Sequence, residues 1–96
     1  MQEPAYVLGH SEREVSRLKD QARLLEPVTR TFLEAAGLTR GMRVLDVGSG
    51  AGDVAFLAAE LVGPMGSIVG IDKAAAAVAA AAATARARGL AQVSFR

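Results

Sequence analysis

From residue 43 onward the hydrophobic pattern switches repeatedly between short β-prone runs and helical stretches, and few folds accommodate that alternation. Arg43-Val44-Leu45-Asp46-Val47 is a run of strand formers bounded by Gly41 and Gly48. Residues Asp53 to Val62 read as a helix closed by Gly63-Pro64, and Ser67 to Ile71 as a second strand. Ala74 to Arg88 reads as a helix closed by Gly89, and Val93-Ser94-Phe95-Arg96 opens a third strand. Strand, helix, strand, helix, strand predicts an α/β fold in which a parallel sheet is joined by crossover helices. Eleven alanines among the fourteen residues 74–87 strengthen the helix reading, since alanine is the best helix former. That tract encodes helix and nothing further.

The part of the chain before this core reads differently. Residues 1–10 show no clear period and are expected to form an irregular lead-in. From Ser11, Val15, Leu18, Ala22 and Leu25 recur at helical spacing, and Ser11 with Glu14 has the spacing of a capping box. Pro27 ends that helix or opens the next, in which Val28, Phe32, Leu33 and Ala36 share a side before Gly37 stops it. Glu14 with Arg17 and Asp20 with Arg23 alternate in sign, as on an exposed helix face.

Composition narrows the function classes. An apolar share of 51 % with a net charge of +1 excludes a disordered chain, and that charge supplies no broad field for nucleic acid or an anionic membrane. No apolar run reaches the roughly 18–20 residues of a membrane span, and the first residues lack a signal peptide's basic end and apolar core. The absence of cysteine excludes disulfides and thiolate metal sites and suits a cytoplasmic protein. No clustered histidines or carboxylates suggest a metal.

The chemistry concentrates in Val44-Leu45-Asp46-Val47-Gly48-Ser49-Gly50-Ala51-Gly52-Asp53. A strand that runs into a glycine-rich turn and then a helix lets a ligand approach the backbone, with free N–H groups at the helix start. A phosphate-binding P-loop needs a lysine after the last glycine, where this chain has Asp53 and Val54. A dinucleotide fingerprint needs a third glycine at position 53, and Asp46 and Asp53 would oppose a pyrophosphate there. A cationic ligand without phosphate reverses the argument, because the acids then attract it. Asp72, after the second strand, stands where an acid takes ribose hydroxyls, or where it caps the alanine helix.

These motifs together resemble class I S-adenosylmethionine-dependent methyltransferases. Val44 to Asp53 resembles the family's first motif, Gly70-Ile71-Asp72 its second-strand acidic motif, and Leu38-Thr39-Arg40-Gly41-Met42-Arg43 the lead-in to its first strand. Gly89-Leu90-Ala91-Gln92-Val93-Ser94-Phe95 is similar to the turn into its third strand. The resemblance runs from about Leu38 to Arg96. It implies a Rossmann-like parallel sheet with S-adenosyl-L-methionine over the ends of the first strands. Gly48, Gly50 and Gly52, with Ser49 among them, would then shape the loop against the methionine part. Asp46 would organise the ammonium, and Asp72 the ribose, with Lys73 alongside the adenosine. The family commonly has serine or threonine two residues after the second-strand acid. Here that residue is Ala74, which removes a helix cap. The family's adenine-contacting motif after the third strand has no counterpart before Arg96.

The reading that follows has residues 1–37 as an N-terminal helical segment, a possible lid carrying Tyr6, Arg17 and Gln21. Residues 38–96 are then the first half of the cofactor-binding domain, cut at its third strand. His10 reads as a loop residue rather than a general base. The expected activity is methyl transfer to a small-molecule acceptor, with neither nucleic acid nor membrane as partner. The alternatives are a non-catalytic cofactor-binding module of the same fold and an NAD-linked oxidoreductase. Read as a fragment, the chain is expected to leave one edge of its first core strand exposed and to be inactive alone.

Overall fold

The computed structural model describes residues 5–9 and 26–96. The helix expected from Ser11, with His10, Arg17 and Gln21, lies outside the described residues. Four parallel strands form one sheet in the order β1 (Ala5–Gly9), β2 (Arg43–Val47), β3 (Ser67–Ile71), β4 (Val93–Phe95). Helix α1 covers residues 26–35, α2 Asp53–Val62 and α3 Ala75–Ala87. The core strands and helices thus fall where the sequence pattern puts them. Two expectations fail at β1, however. Residues 5–9 are a strand rather than part of an irregular lead-in. They also pair in parallel with β2, from Ala5 opposite Arg43 to Gly9 opposite Val47. The edge of β2 expected to be exposed is therefore covered. The unpaired N–H and C=O groups of an edge strand are a template for another extended segment, and Ala5-Tyr6-Val7-Leu8 is a short apolar run able to fill it.

Side chains alternate along β2 and β3. Val44, Asp46, Ile68 and Gly70 are buried, whereas Leu45, Val47, Val69 and Ile71 are half-buried. Helix α2 packs across β2, β3 and β4, and α3 packs on β4. Ala55, Phe56, Leu57, Ala58, Ala59 and Val62 of α2 are buried in the same cluster as Val44, Ile68 and Val93. The alanines let the helix lie close to the sheet. On α3 only Ala81 and Ala85 are fully buried, so most of the alanine tract serves helix formation rather than packing.

Helix α1 is tied to this core at its end. The Leu38 N–H donates to the Leu33 carbonyl at 3.1 Å and the Gly37 N–H to the Glu34 carbonyl at 3.0 Å, which is the Schellman arrangement. Its apolar pair, Leu33 and Leu38, is buried in the core. That pair fixes the entry of the chain into β2, and β2 in turn aims the glycine loop.

Candidate cofactor site

Because Val47 pairs with Ile71, the carboxyl ends of β2 and β3 lie side by side where the chain turns into the glycine loop. The Gly48 and Ser49 N–H groups both donate to the Ile71 carbonyl, at 2.7 and 2.9 Å. Gly48, Gly50 and Gly52 have φ of 75°, 56° and 97°, the left-handed region that side chains other than hydrogen resist. The Gly52 N–H closes the turn on the Ser49 carbonyl at 3.0 Å. Helix α2 then starts without a side-chain cap, so its first turn can offer N–H groups to a negatively charged ligand atom.

Asp72 joins the loop to the next helix. Its Oδ2 accepts the Gly50 N–H at 2.9 Å and its Oδ1 the Ala74 N–H at 2.8 Å. The bond that a serine or threonine at position 74 could have supplied ahead of α3 thus comes from Asp72. A carboxylate has about four acceptor positions, so two remain for the hydroxyls of a ligand.

Asp46 is fully buried beneath the loop's root on β2, in register with Gly70. Burial, and after it the negative charge of Asp72, pushes its pKa from 3.8 up to about 7. A cation placed beside it would favour the carboxylate again. Ser49 is also buried, and its Oγ has no hydrogen-bond partner among the described residues. Lys73 is exposed, one residue beyond Asp72. The fold therefore gathers Asp46, Gly48, Ser49, Gly50, Gly52 and Asp72 at one rim of the sheet, with Lys73 at its margin.

Two residues that shape this rim, Phe56 and Phe95, are not among the site residues the motifs mark. A Cβ on Gly52 would lie 2.8 Å from Phe56 and 2.9 Å from Phe95. One on Gly70 would lie 2.6 Å from Phe95 and 2.8 Å from Ser49 Oγ. The two rings meet edge to face, 5.5 Å between centroids, so Phe56 and Phe95 wedge the loop against β3. Gly70 was the available clue, since a glycine inside a strand marks a close approach.

Residues 38–96 match the model of the methyltransferase domain family. The chain belongs to the class I S-adenosylmethionine-dependent methyltransferase family. Over 70 residues this methyltransferase chain is 51 % identical to the nocamycin O-methyltransferase of Saccharothrix syringae, covering 73 % of this chain and 25 % of that protein. Over 68 residues it is 38 % identical to an aklanonic acid methyltransferase of a Streptomyces species, covering 71 % of this chain and 31 % of that protein. Its fold superposes on a SAM dependent methyltransferase from Aquifex aeolicus with a TM-score of 0.71 and 33 % identity, over 88 % of this chain and 45 % of that one. The methyltransferase chain thus spans a quarter to a third of the length of these two curated relatives. S-adenosylmethionine is the family's cofactor, and the donor set suits it: acids for a cation and for hydroxyls, backbone N–H groups for a carboxylate, and a buried hydroxyl at Ser49.

Proposed function

We propose that this chain forms the S-adenosylmethionine-binding part of an enzyme that methylates a small organic acceptor. The observation that carries the reading is the Asp72 carboxylate bonded to Gly50 inside the glycine loop, which sets an acid beside the closest backbone approach. Such a loop favours a cationic ligand over a pyrophosphate. When bound, the cofactor supplies a methyl group made electrophilic by its sulfonium. The residues of this chain bind and orient. Asp72 holds the ribose hydroxyls with its two remaining acceptor positions. Asp46, made anionic by a neighbouring ammonium, balances that charge. Gly48, Gly50 and Gly52 keep the wall free of side chains, and Lys73 flanks the adenosine. In-line methyl transfer needs alignment above all.

The nocamycin and aklanonic acid relatives support a small-molecule acceptor. We read residues 38–96 as the first part of a larger catalytic domain, in keeping with the share of those relatives that the chain spans. The cover role expected of residues 1–37 does not extend to β1, which is a strand of the sheet, although its Gly9 end lies beside Val47 at the same rim. Titration calorimetry with S-adenosylmethionine and, in parallel, a nicotinamide dinucleotide tests the reading. S-adenosylmethionine alone should bind, and Asp72→Ala should weaken it at least tenfold. Unchanged affinity in that variant would sink the ribose assignment, and binding of the dinucleotide alone would sink the whole reading.

A further inference from the structure

The opposite rim of the sheet carries a second concave surface. A cleft of about 420 Å³ is lined by Arg40, which precedes β2, by Gly63 and Pro64, which precede β3, and by Leu90 and Gln92, which precede β4. In a parallel sheet those segments all enter at the amino ends of the strands, away from the glycine loop. Phe56 and Ala59 of α2, both buried, lie at its floor, and Arg88 lines it as well. The volume is within the range of small-molecule sites, about 300–1,000 Å³.

Two guanidinium groups share this cleft, and both are positioned. The Arg88 guanidinium carbon lies 4.7 Å from the centroid of the Phe56 ring. A guanidinium over an aromatic face is held by cation–π attraction and keeps its N–H donors for a ligand. The Arg40 guanidinium passes over Gly63 so closely that a Cβ there would collide with Nη1. Among the described residues neither arginine has a carboxylate partner. The acid lining the cleft, Glu60, is bonded to Arg30 at 3.1 Å instead. Two carbonyls at the end of α2 are taken by backbone, Ala59 by the Gly63 N–H and Val62 by the Gly41 N–H.

We propose that this cleft binds a small organic oxyanion on an apolar body. The carboxylate or phosphate meets Arg40 and Arg88, and the body rests on the more open Pro64 and Leu90. Planar guanidinium donors suit both head groups. The cleft shares the Phe56 ring with the wedge under the glycine loop but none of the residues assigned to the cofactor, and it does not depend on that assignment.

Titration of the full chain with phenyl phosphate and with benzoate, followed by amide NMR, tests the proposal. Inorganic phosphate and benzyl alcohol supply the head and the body separately. Saturable shifts are expected at residues 40, 63 and 88–92 with phenyl phosphate, benzoate or both, and which of the two saturates identifies the head group. Inorganic phosphate and benzyl alcohol should each bind at least tenfold more weakly. Arg88→Ala and Arg40→Ala should each weaken binding about tenfold with amide dispersion unchanged, and Arg88→Lys should fall between. The proposal is overturned if neither aryl anion saturates, if both alanine variants bind as the parent does, or if the shifts fall on the glycine loop. An Arg40→Ala variant that loses thermal stability while keeping its anion affinity would make Arg40 a support for the end of α2 and would also overturn it.

Discussion

Replacing Asp46 with asparagine should remove most of the pH dependence of this chain's stability between pH 5 and 7. Asp46 is fully buried on β2, and burial together with the Asp72 charge lifts its pKa from 3.8 to about 7. Between those two values the folded chain holds a proton that the unfolded chain has released. Stability therefore falls as pH rises through the window and levels off above about pH 7. Each pH unit inside it corresponds to about 1.4 kcal/mol. The loss between pH 5 and 7 is then about 2 kcal/mol, because the folded carboxyl is already half ionised at pH 7, and the full cost at pH 8 about 4 kcal/mol. Against a domain stability of about 5–15 kcal/mol, that is a large charge on a single side chain. Asparagine keeps the shape and never ionises. Urea unfolding of both proteins at pH 5, 6, 7 and 8 gives the difference directly, and titrations common to both cancel. The variant should gain on the parent as pH rises and hold a constant lead beyond pH 7. Parallel curves across the whole range would refute the placement of a costly buried acid at this position.

The same titration should appear in cofactor binding. A cation beside Asp46 returns it to the carboxylate, so S-adenosylmethionine binding at pH 7 should release about half a proton, measured by calorimetry in buffers of different ionisation enthalpy. Ser49→Ala removes a buried hydroxyl without a partner and should raise stability by about 1 kcal/mol, read as a midpoint shift in thermal melting, while weakening cofactor affinity. Gly52→Ala forces a side chain into φ 97° and against Phe56 and Phe95, and should cost about 2 kcal/mol or more in urea unfolding. Leu33→Ala, at the root of the Schellman pair, should cost about 2–5 kcal/mol by the same assay, with cofactor affinity at saturating fold little changed.

Strands β2 and β3 and the helices between them were legible because local chemistry punctuates them. Gly48, Gly63 with Pro64, and Gly89 each follow the end of an element, Gly41 precedes β2, and the apolar period changes across each of them. Strand β1 was not, for a physical reason. A parallel strand need not alternate, so Ala5-Tyr6-Val7-Leu8 has no period-two signature, and its pairing with residues 43–47 is a contact about 38 positions away in sequence. The acids and glycines of the loop were visible as a motif. The packing of Phe56 and Phe95 on Gly52 and Gly70 depends on β4 and α2 meeting in space, which spacing alone does not encode. Asp72 was legible as either ribose ligand or cap, and its geometry shows why the two readings compete. One oxygen serves the loop and the other the approach to α3.

That shared use of Asp72 has a consequence for how the sequence can drift. Substitutions at Asp72 alter the hold on the loop and the start of α3 together, so no change there tunes ligand affinity without also reaching the scaffold. Ser49 and Asp46 present the opposite case, where the side chain burdens the empty fold and a neutral replacement relieves it. Selection for robustness alone would preserve position 72 and erode positions 46 and 49. Asp46 and Ser49 are therefore costs to the empty fold that a bound ligand would offset.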